Sequence, residues 1–334
     1  MHYLVGAMGR RQLLQGGTFT LLTGTGAEAE ATSAGIRVVI DAGLENQTIL
    51  NLIESQGYLA ALGLSQKLVI VDTPMATLKA LIDDQADLCV TSASNSVLPE
   101  IAKGAPIRVV GAAMQRVALA VCSARPDITD IAGLAGRRIG VGPQDGLLAV
   151  LMRSLLYAKG IDWRGMTFVD CGSNKDVFHE VKTGSVDAGL ADIADLGTDK
   201  AAEVHPLRGG EVWNALPAYP YQLSYASQRA LARNRQGIIL ALAAYGRLFR
   251  YLSTAQSWTA YEAARRAAGG DDAGARAMWH FIQTVQPYQG SPVVSGAQLD
   301  ALQMINVKWG LQQAVLPESQ MAELSVASSA IKLI

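Results

Sequence analysis

The stretch Asp130-Ile-Ala-Gly-Leu-Ala-Gly-Arg-Arg138, continued by Ile139-Gly-Val-Gly142, Pro143-Gln-Asp-Gly146 and an apolar run from Leu147, decides the fold class. A short β-branched run that breaks at glycine and feeds an apolar helix reads as a strand-loop-helix unit. Its loop lies at the carboxyl end of the strand, where open α/β sheets bind ligands. The spacing Gly140-x-Gly142-x-x-x-Gly146 departs from the dinucleotide fingerprint, and no acidic residue closes a following strand as that fingerprint requires. No Gly-Lys-Ser/Thr follows, which removes the phosphate-loop reading as well. Two readings stand open: Gln144 or Asp145 caps the helix, or the same helix end faces a cleft.

Outward from this unit, strands and helices alternate on both sides. Ile36-Arg-Val-Val-Ile40 reads as the first strand, with a helix from about Thr48 to Leu62 that runs into Gly57-Tyr58 and Gly63-Leu64. Lys67 to Val71 and Gln85 to Val90 are further strands, the latter followed by Thr91-Ser92-Ala93-Ser94-Asn95 and a short helix. Hydroxyl and amide side chains at a helix start supply caps, and they also supply donors beside a positive dipole end where carboxylates and other anions settle. Gly104-Ala-Pro-Ile107-Arg-Val-Val-Gly111 and Val117 to Ser123 are strands, and Ala124-Arg125-Pro126-Asp127 reads as the turn into a second lobe. There the pattern repeats: Met166 to Val169, then a helix over Lys175 to Thr183, then Gly184-Ser-Val186-Asp187-Ala188 leading to Asp192. Tyr219-Pro220-Tyr221-Gln222 begins the strand that returns to the first lobe, and helices fill the remainder. Such alternation argues for parallel sheets under helical cover.

The order of these segments closely resembles the periplasmic substrate-binding proteins of ABC importers, of the nitrate/sulfonate/taurine type and related to thiamine-precursor-binding proteins. Asp130 to Gly142 is similar to that family's "DLKGKRVGV" segment, Gly104 to Gly111 to its "GAPIKVVA" strand, and Gly184 to Ala188 to its "LKSGEVDAA" step. The resemblance covers about Ile36 to Pro317 and implies an α/β fold of the type II periplasmic binding protein. In that fold each of two lobes is a mostly parallel sheet flanked by helices, and two crossover segments join the lobes. The corresponding division is an export signal over 1–31, a first lobe over 32–123, a second over 124–212, and a return to the first lobe with C-terminal helices over 213–334. The function implied is capture of a small molecule by hinge closure and its delivery to an inner-membrane ABC permease, by a protein expected to be a monomer.

Composition agrees with work done in a cleft. The chain has 334 residues, 50% hydrophobic and 17% charged, with a formal net charge of −1, so nothing global attracts nucleic acid or an anionic membrane. Gly9-Arg10-Arg11-Gln12-Leu13-Leu14, a mildly apolar stretch and Ala27-Glu-Ala-Glu-Ala31 resemble a twin-arginine export signal, with the ordinary secretory route and a start at Met8 left open. No cysteine lies near the cleavage region, so a soluble periplasmic protein without a lipid anchor is expected. Cys89, Cys122 and Cys171 match no metal or redox spacing and read as buried thiols.

Catalytic chemistry finds little support. His2, His179, His205 and His280 are scattered, no metal motif or G-x-S-x-G elbow is present, and no cofactor is expected. Two alternatives are an enzyme on the same fold, like the one that builds the thiamine pyrimidine from its own histidine, and the ligand-sensing subunit of a receptor. The first carries a cysteine-rich segment that this chain lacks; the second needs a membrane span or signalling module.

Candidate binding residues are the strand-end groups. From the first lobe they are Asn46, Met75, Thr91, Ser92, Ser94 and Asn95, with Arg116 near the crossover. Gln144, Asp145, Ser173 and Asp192 come from the second lobe, and Tyr221 from the return segment. Arg116 is suited to a bidentate pair with a carboxylate or sulfonate. An acid such as Asp145 in the cleft would instead suit a pyrimidine or amine, and tyrosines suit a flat or apolar body.

Overall fold

The computed structural model describes residues 34–198 and 203–334, so the expected export signal lies outside the described residues. The first elements are β1 (Ala34–Asp41), α1 (Leu44–Ser55), β2 (Leu64–Val71), α2 (Pro74–Ile82), β3 (Leu88–Ala93), α3 (Val97–Ala102) and β4 (Ile107–Ala112). Then come β5 (Leu119–Ser123), β6 (Arg138–Val141), α4 (Leu147–Ala158), β7 (Thr167–Asp170), α5 (Asn174–Thr183), β8 (Ala188–Asp192), α6 (Ile193–Leu196) and β9 (His205–Glu211). After α7 (Val212–Ala215) and β10 (Gln222–Ser227) the elements are helical: α8 (Gln228–Leu252), α9 (Trp258–Ala267), α10 (Asp272–Val285), α11 (Gly296–Lys308), α12 (Glu318–Met321) and α13 (Ser325–Ala330).

The strands pair into two sheets of one plan, β2-β1-β3-β10-β4 and β7-β6-β8-β5-β9. In each sheet the fourth strand runs antiparallel to both neighbours. Each is also the strand entered directly after the chain crosses between sheets, at 113–118 and at 212–221. The strand over Val117–Ser123, assigned by sequence to the first lobe, therefore belongs to the second sheet, and the boundary falls before it rather than at 124. An apolar strand carries no mark of the sheet it joins, and the crossing itself, Met114-Gln115-Arg116, contains neither Gly nor Pro to announce it.

Matching aspartates pin the central strands of both sheets. Asp87 Oδ2 accepts from the backbone N–H of Arg37 at 2.9 Å, and the Asp87 N–H donates to the Arg37 carbonyl at 2.8 Å. Asp187 repeats this with Arg138, both distances being 2.8 Å. Each carboxylate thereby extends a parallel ladder by one charge-assisted bond just before the buried strand that follows it. The shared "Val/Ala-Asp" step in the sequence has this physical basis.

Helix starts follow their capping residues. Thr73 caps α2 with Pro74 at the first helical position, and Ser173 with Asp176 and Ser295 with Gln298 form capping boxes on α5 and α11. Neither Gln144 nor Asp145 caps α4, which removes the first of the two sequence readings: the N-cap is Gly146, without a side-chain bond. The loop is wound too tightly for such a bond. The Gly146 N–H returns to the Pro143 carbonyl at 2.7 Å, and a Cβ on Gly142 would stand 2.7 Å from the Gly172 carbonyl. Gln144 and Asp145 are left exposed.

The C-terminal helices do not serve the first sheet alone. α8, α9 and α13 pack on it and on α1, but α10 also meets α6 of the second lobe. There Gly197 and Gly274 permit a close approach: a Cβ on Gly197 would lie 2.1 Å from the Cβ of Ala277, and one on Gly274 3.1 Å from the Ala194 carbonyl. On the other flank, Trp309 Nε1 donates to Ser154 Oγ of α4 at 2.8 Å, its ring meets Trp163 at 5.3 Å, and Lys308 Nζ sits 3.3 Å over the Tyr157 ring. The lobes are thus held together on both sides of their junction.

Candidate functional site

The carboxyl ends of the parallel strands of both sheets converge where the two crossover segments run. β1 ends at Asp41, a partly buried carboxylate whose Oδ1 accepts from the Asn46 amide and whose Oδ2 accepts from Ser92 Oγ at 3.1 Å. Asn46 Oδ1 accepts in turn from Gln222 Nε2 at 3.3 Å, at the start of β10. Burial pushes the Asp41 carboxyl above the usual carboxylate range, against the opposing pull of Ser92 and Asn46. Behind this network Thr77 Oγ1 meets the Tyr225 hydroxyl at 2.5 Å, closing the site toward the core.

From the second sheet, β8 ends at Asp192, which accepts from Asn174 Nδ2 at 3.1 Å. Asp192 occupies the N-cap position of α6 but makes no capping bond there. Burial pushes its carboxyl up to about 6, further raised by Asp195 and Glu45 and lowered by Asn174 and Arg265. Tyr221 connects the two halves, since its phenol is influenced by both Asp192 and Asp41 and lies beside Asn174; burial raises it well above the ordinary tyrosine range. Facing Asp192 from the first lobe, Glu45 accepts from Arg265 Nη1 at 2.7 Å, from the Tyr261 hydroxyl at 2.9 Å and from the Tyr288 hydroxyl at 3.0 Å.

Several buried polar atoms here have no hydrogen-bond partner of good geometry in the protein: Thr91 Oγ1, Ser94 Oγ, the Tyr219 hydroxyl and Gln222 Oε1, with Ser94 and Tyr219 near enough to influence each other. Their residues are 1%, 0%, 1% and 9% exposed, so solvent does not readily satisfy them. A buried polar group left without a partner costs on the order of 1 to 3 kcal/mol. Such groups near strand ends, beside two carboxylates whose titration burial raises, are suited to a small polar ligand.

The remaining expected residues fall elsewhere or serve the fold. Met75 is 51% exposed in an outer groove formed by α2 and Glu100 of α3. Arg116 donates to the Pro217 carbonyl and so braces one crossover segment against the other. Ser173 is occupied by its capping box, and the Gln144 carbonyl accepts from Arg153. Asn95 is half-buried beside the site. Sequence reasoning missed Asp41, Glu45, Asn174, Tyr219, Gln222 and Arg265. Asp41 and Asn174 did carry a signal, since Asp41 ends a strand and Asn174 opens the helix that follows one. Arg265 and Glu45 carried none, because 220 residues separate them.

The titration of Asp192 has a measurable consequence. Its folded-state value lies above that of an unfolded carboxylate, so between pH 4 and 6 the folded chain holds more protons than the unfolded one. Stability therefore falls as pH rises through that window, and the cost is fully present above it. With partial exposure discounted, Asp192→Asn is expected to remove about 1 to 2 kcal/mol of this fall. Urea midpoints of parent and variant at pH 4 and pH 7 would show it; parallel pH profiles would refute it.

Nucleophilic chemistry has no foothold in the thiols. Burial pushes Cys89 and Cys122 up to about 12 and raises Cys171, the reverse of an activated cysteine. Among the described residues no group of three or more His, Cys, Asp or Glu is placed to hold a metal ion, and no helix is long and apolar enough to cross a membrane.

Comparison with known proteins agrees with this architecture. A family model described as NMT1/THI5 like matches residues 45–247. The periplasmic aliphatic sulphonate binding protein SsuA of Escherichia coli superposes with a TM-score of 0.68 at 16% identity, over 86% of this chain and 92% of that one. The alkanesulfonate-binding protein SsuA of Xanthomonas axonopodis pv. citri, bound to MOPS, gives 0.63 at 16% identity, over 89% and 97%. The desulfurization enzyme DszB gives 0.60 at 16% identity, over 90% and 99%. At such identities the likeness establishes the fold. No curated protein matches the sequence.

Proposed function

We propose that this chain, which belongs to the NMT1/THI5-like family, is a receptor that closes its two lobes on a small molecule and hands it to an ABC import permease from the periplasm. The observation that carries this reading is the convergence of Asp41, Asn46, Ser92, Asp192, Tyr221 and the unpartnered Thr91, Ser94, Tyr219 and Gln222 at the strand ends of both sheets. A ligand bound there touches both lobes and therefore stabilises the closed form by its differential affinity for it. Sulfonate binding by two of the structural neighbours and the periplasmic address of one support the class of function. The presence of DszB among them keeps an enzyme as the competing reading; the raised thiols disfavour a cysteine nucleophile in particular.

The test uses the full chain, unfolded in guanidinium, refolded, and incubated with a small-molecule extract of bacterial cells. After desalting and heat release, mass spectrometry is expected to recover one compound enriched near stoichiometry and chemically unchanged. Recovery of a converted product would favour the enzyme, and no enriched compound would overturn the receptor.

A further inference from the structure

Resting on the receptor reading, we propose that the ligand is an organic cation, a protonated amine or amidine on a flat or apolar body, held between Asp41 of the first lobe and Asp192 of the second. The charges decide its class. Two carboxylates, Asp41 and Asp192, stand at the strand ends, with Glu45 close enough to influence the second. The one guanidinium among these groups, Arg265, is already paired with Glu45. Arg116, the residue expected to anchor an anion, is turned to the Pro217 carbonyl, and Arg153 to the carbonyls of Gln144 and Ala149. An anionic ligand entering this site would meet an excess of like charge with these arginines engaged.

The acceptors point the same way. Asp41 and Asp192 each receive neutral donors from one lobe, Asn46 and Ser92 for the first and Asn174 for the second, and a carboxylate has acceptor capacity beyond these bonds. Gln222 adds a buried carbonyl oxygen without a partner, adjacent to the Asp41 network through its bond to Asn46. This atom can only accept, so it calls for an N–H or O–H from the ligand. Thr91, Ser94 and Tyr219 supply hydroxyls able to serve either role, and Tyr221, half-buried between Asp41 and Asp192, is the aromatic side chain nearest both carboxylates. The raised titration of both aspartates is the corollary, since burial disfavours their ionised forms and, at Asp192, outweighs the pull of Asn174 and of Arg265, which is itself paired with Glu45. A cation restores that charge, so binding should expel the proton each carboxylate holds at low pH. Groups facing Asp192 are Asp195 of α6, Glu45 of α1, Arg265 of α9 and Tyr221; Cys89 and Tyr221 are those coupled to Asp41.

Benzylamine and benzamidine are suitable cationic probes, with benzamide as the neutral isostere and benzoate and benzenesulfonate as anions. Calorimetry and thermal unfolding of the refolded full chain at pH 7.5 are expected to show binding of the cations and at least tenfold weaker binding of the other three. The dissociation constant should rise about tenfold per pH unit below 6, and Asp192→Asn should weaken benzamidine by at least tenfold while the variant still unfolds cooperatively. Preference for an anion or the neutral isostere, or no binding of either cation, overturns the cation class. The extract experiment separates this failure from that of the receptor. A stoichiometric anion recovered there sinks the class and keeps the receptor, whereas cation-probe binding without any recovered compound sinks the receptor and keeps the class.

Discussion

Gly197→Leu is expected to leave both lobes folded and to weaken capture of the recovered compound by about 100-fold, the equivalent of about 2 to 3 kcal/mol of overpacking. The clash is with backbone-anchored atoms, since even a Cβ at this position would stand 2.1 Å from Ala277 Cβ and 3.3 Å from the Ala273 carbonyl. Neither neighbour is a flexible side-chain end that could swing aside. On the proposed closure of the two lobes, the substitution has no such contact when α6 and α10 are apart, so its cost would fall on the closed form and lower the binding-competent fraction. Calorimetry would give the affinity, and small-angle scattering with ligand present would give a larger radius of gyration than the parent. Unchanged affinity and size would show that this contact is absent from the bound state.

Glu45→Ala should cost more than any loss at the strand ends, about 3 to 5 kcal/mol of folding stability. Its carboxylate receives Arg265, Tyr261 and Tyr288 together. Without it Arg265, 3% exposed and already lacking a partner for Nε, would be a buried charge with the Tyr261 hydroxyl as its remaining acceptor. Denaturant titration should show a lower midpoint at an unchanged slope. Pairing the change with Arg265→Met should recover much of the loss, because the uncompensated charge is then gone. A loss under about 1 kcal/mol for the single variant would show that the cluster is not a structural pivot.

The architecture is readable from sequence wherever a local signal repeats. Strand, glycine break and apolar helix recur in both lobes, and the Asp87 and Asp187 steps look alike because each performs the same bond to the strand beside it. The hydroxyl run Thr91 to Ser94 is likewise visible, since polar groups at the end of a buried strand need a reason to be there. What sequence does not show is which strand joins which sheet, as β5 demonstrates, or where a long side chain is spent. Arg116 is a residue type made for anions, yet its guanidinium braces a crossover. Arg265 lies in Ala-Ala-Arg-Arg-Ala, which reads as a solvated helix face, and only the fold brings Glu45 beneath it.

The fourth strand of each sheet also sets an order of events during synthesis. The second lobe is one uninterrupted length of chain, β5 through β9, and holds every strand of its own sheet. The first lobe waits for β10, which must slot between β3 and β4 after that whole length has been made. Until then two buried strand edges of the first sheet are open, with loop closure still to be met before their pairing is rewarded. The nascent chain thus passes through a stage with one finished half and one unfinished half, and the unfinished half is the part a chaperone would need to shield.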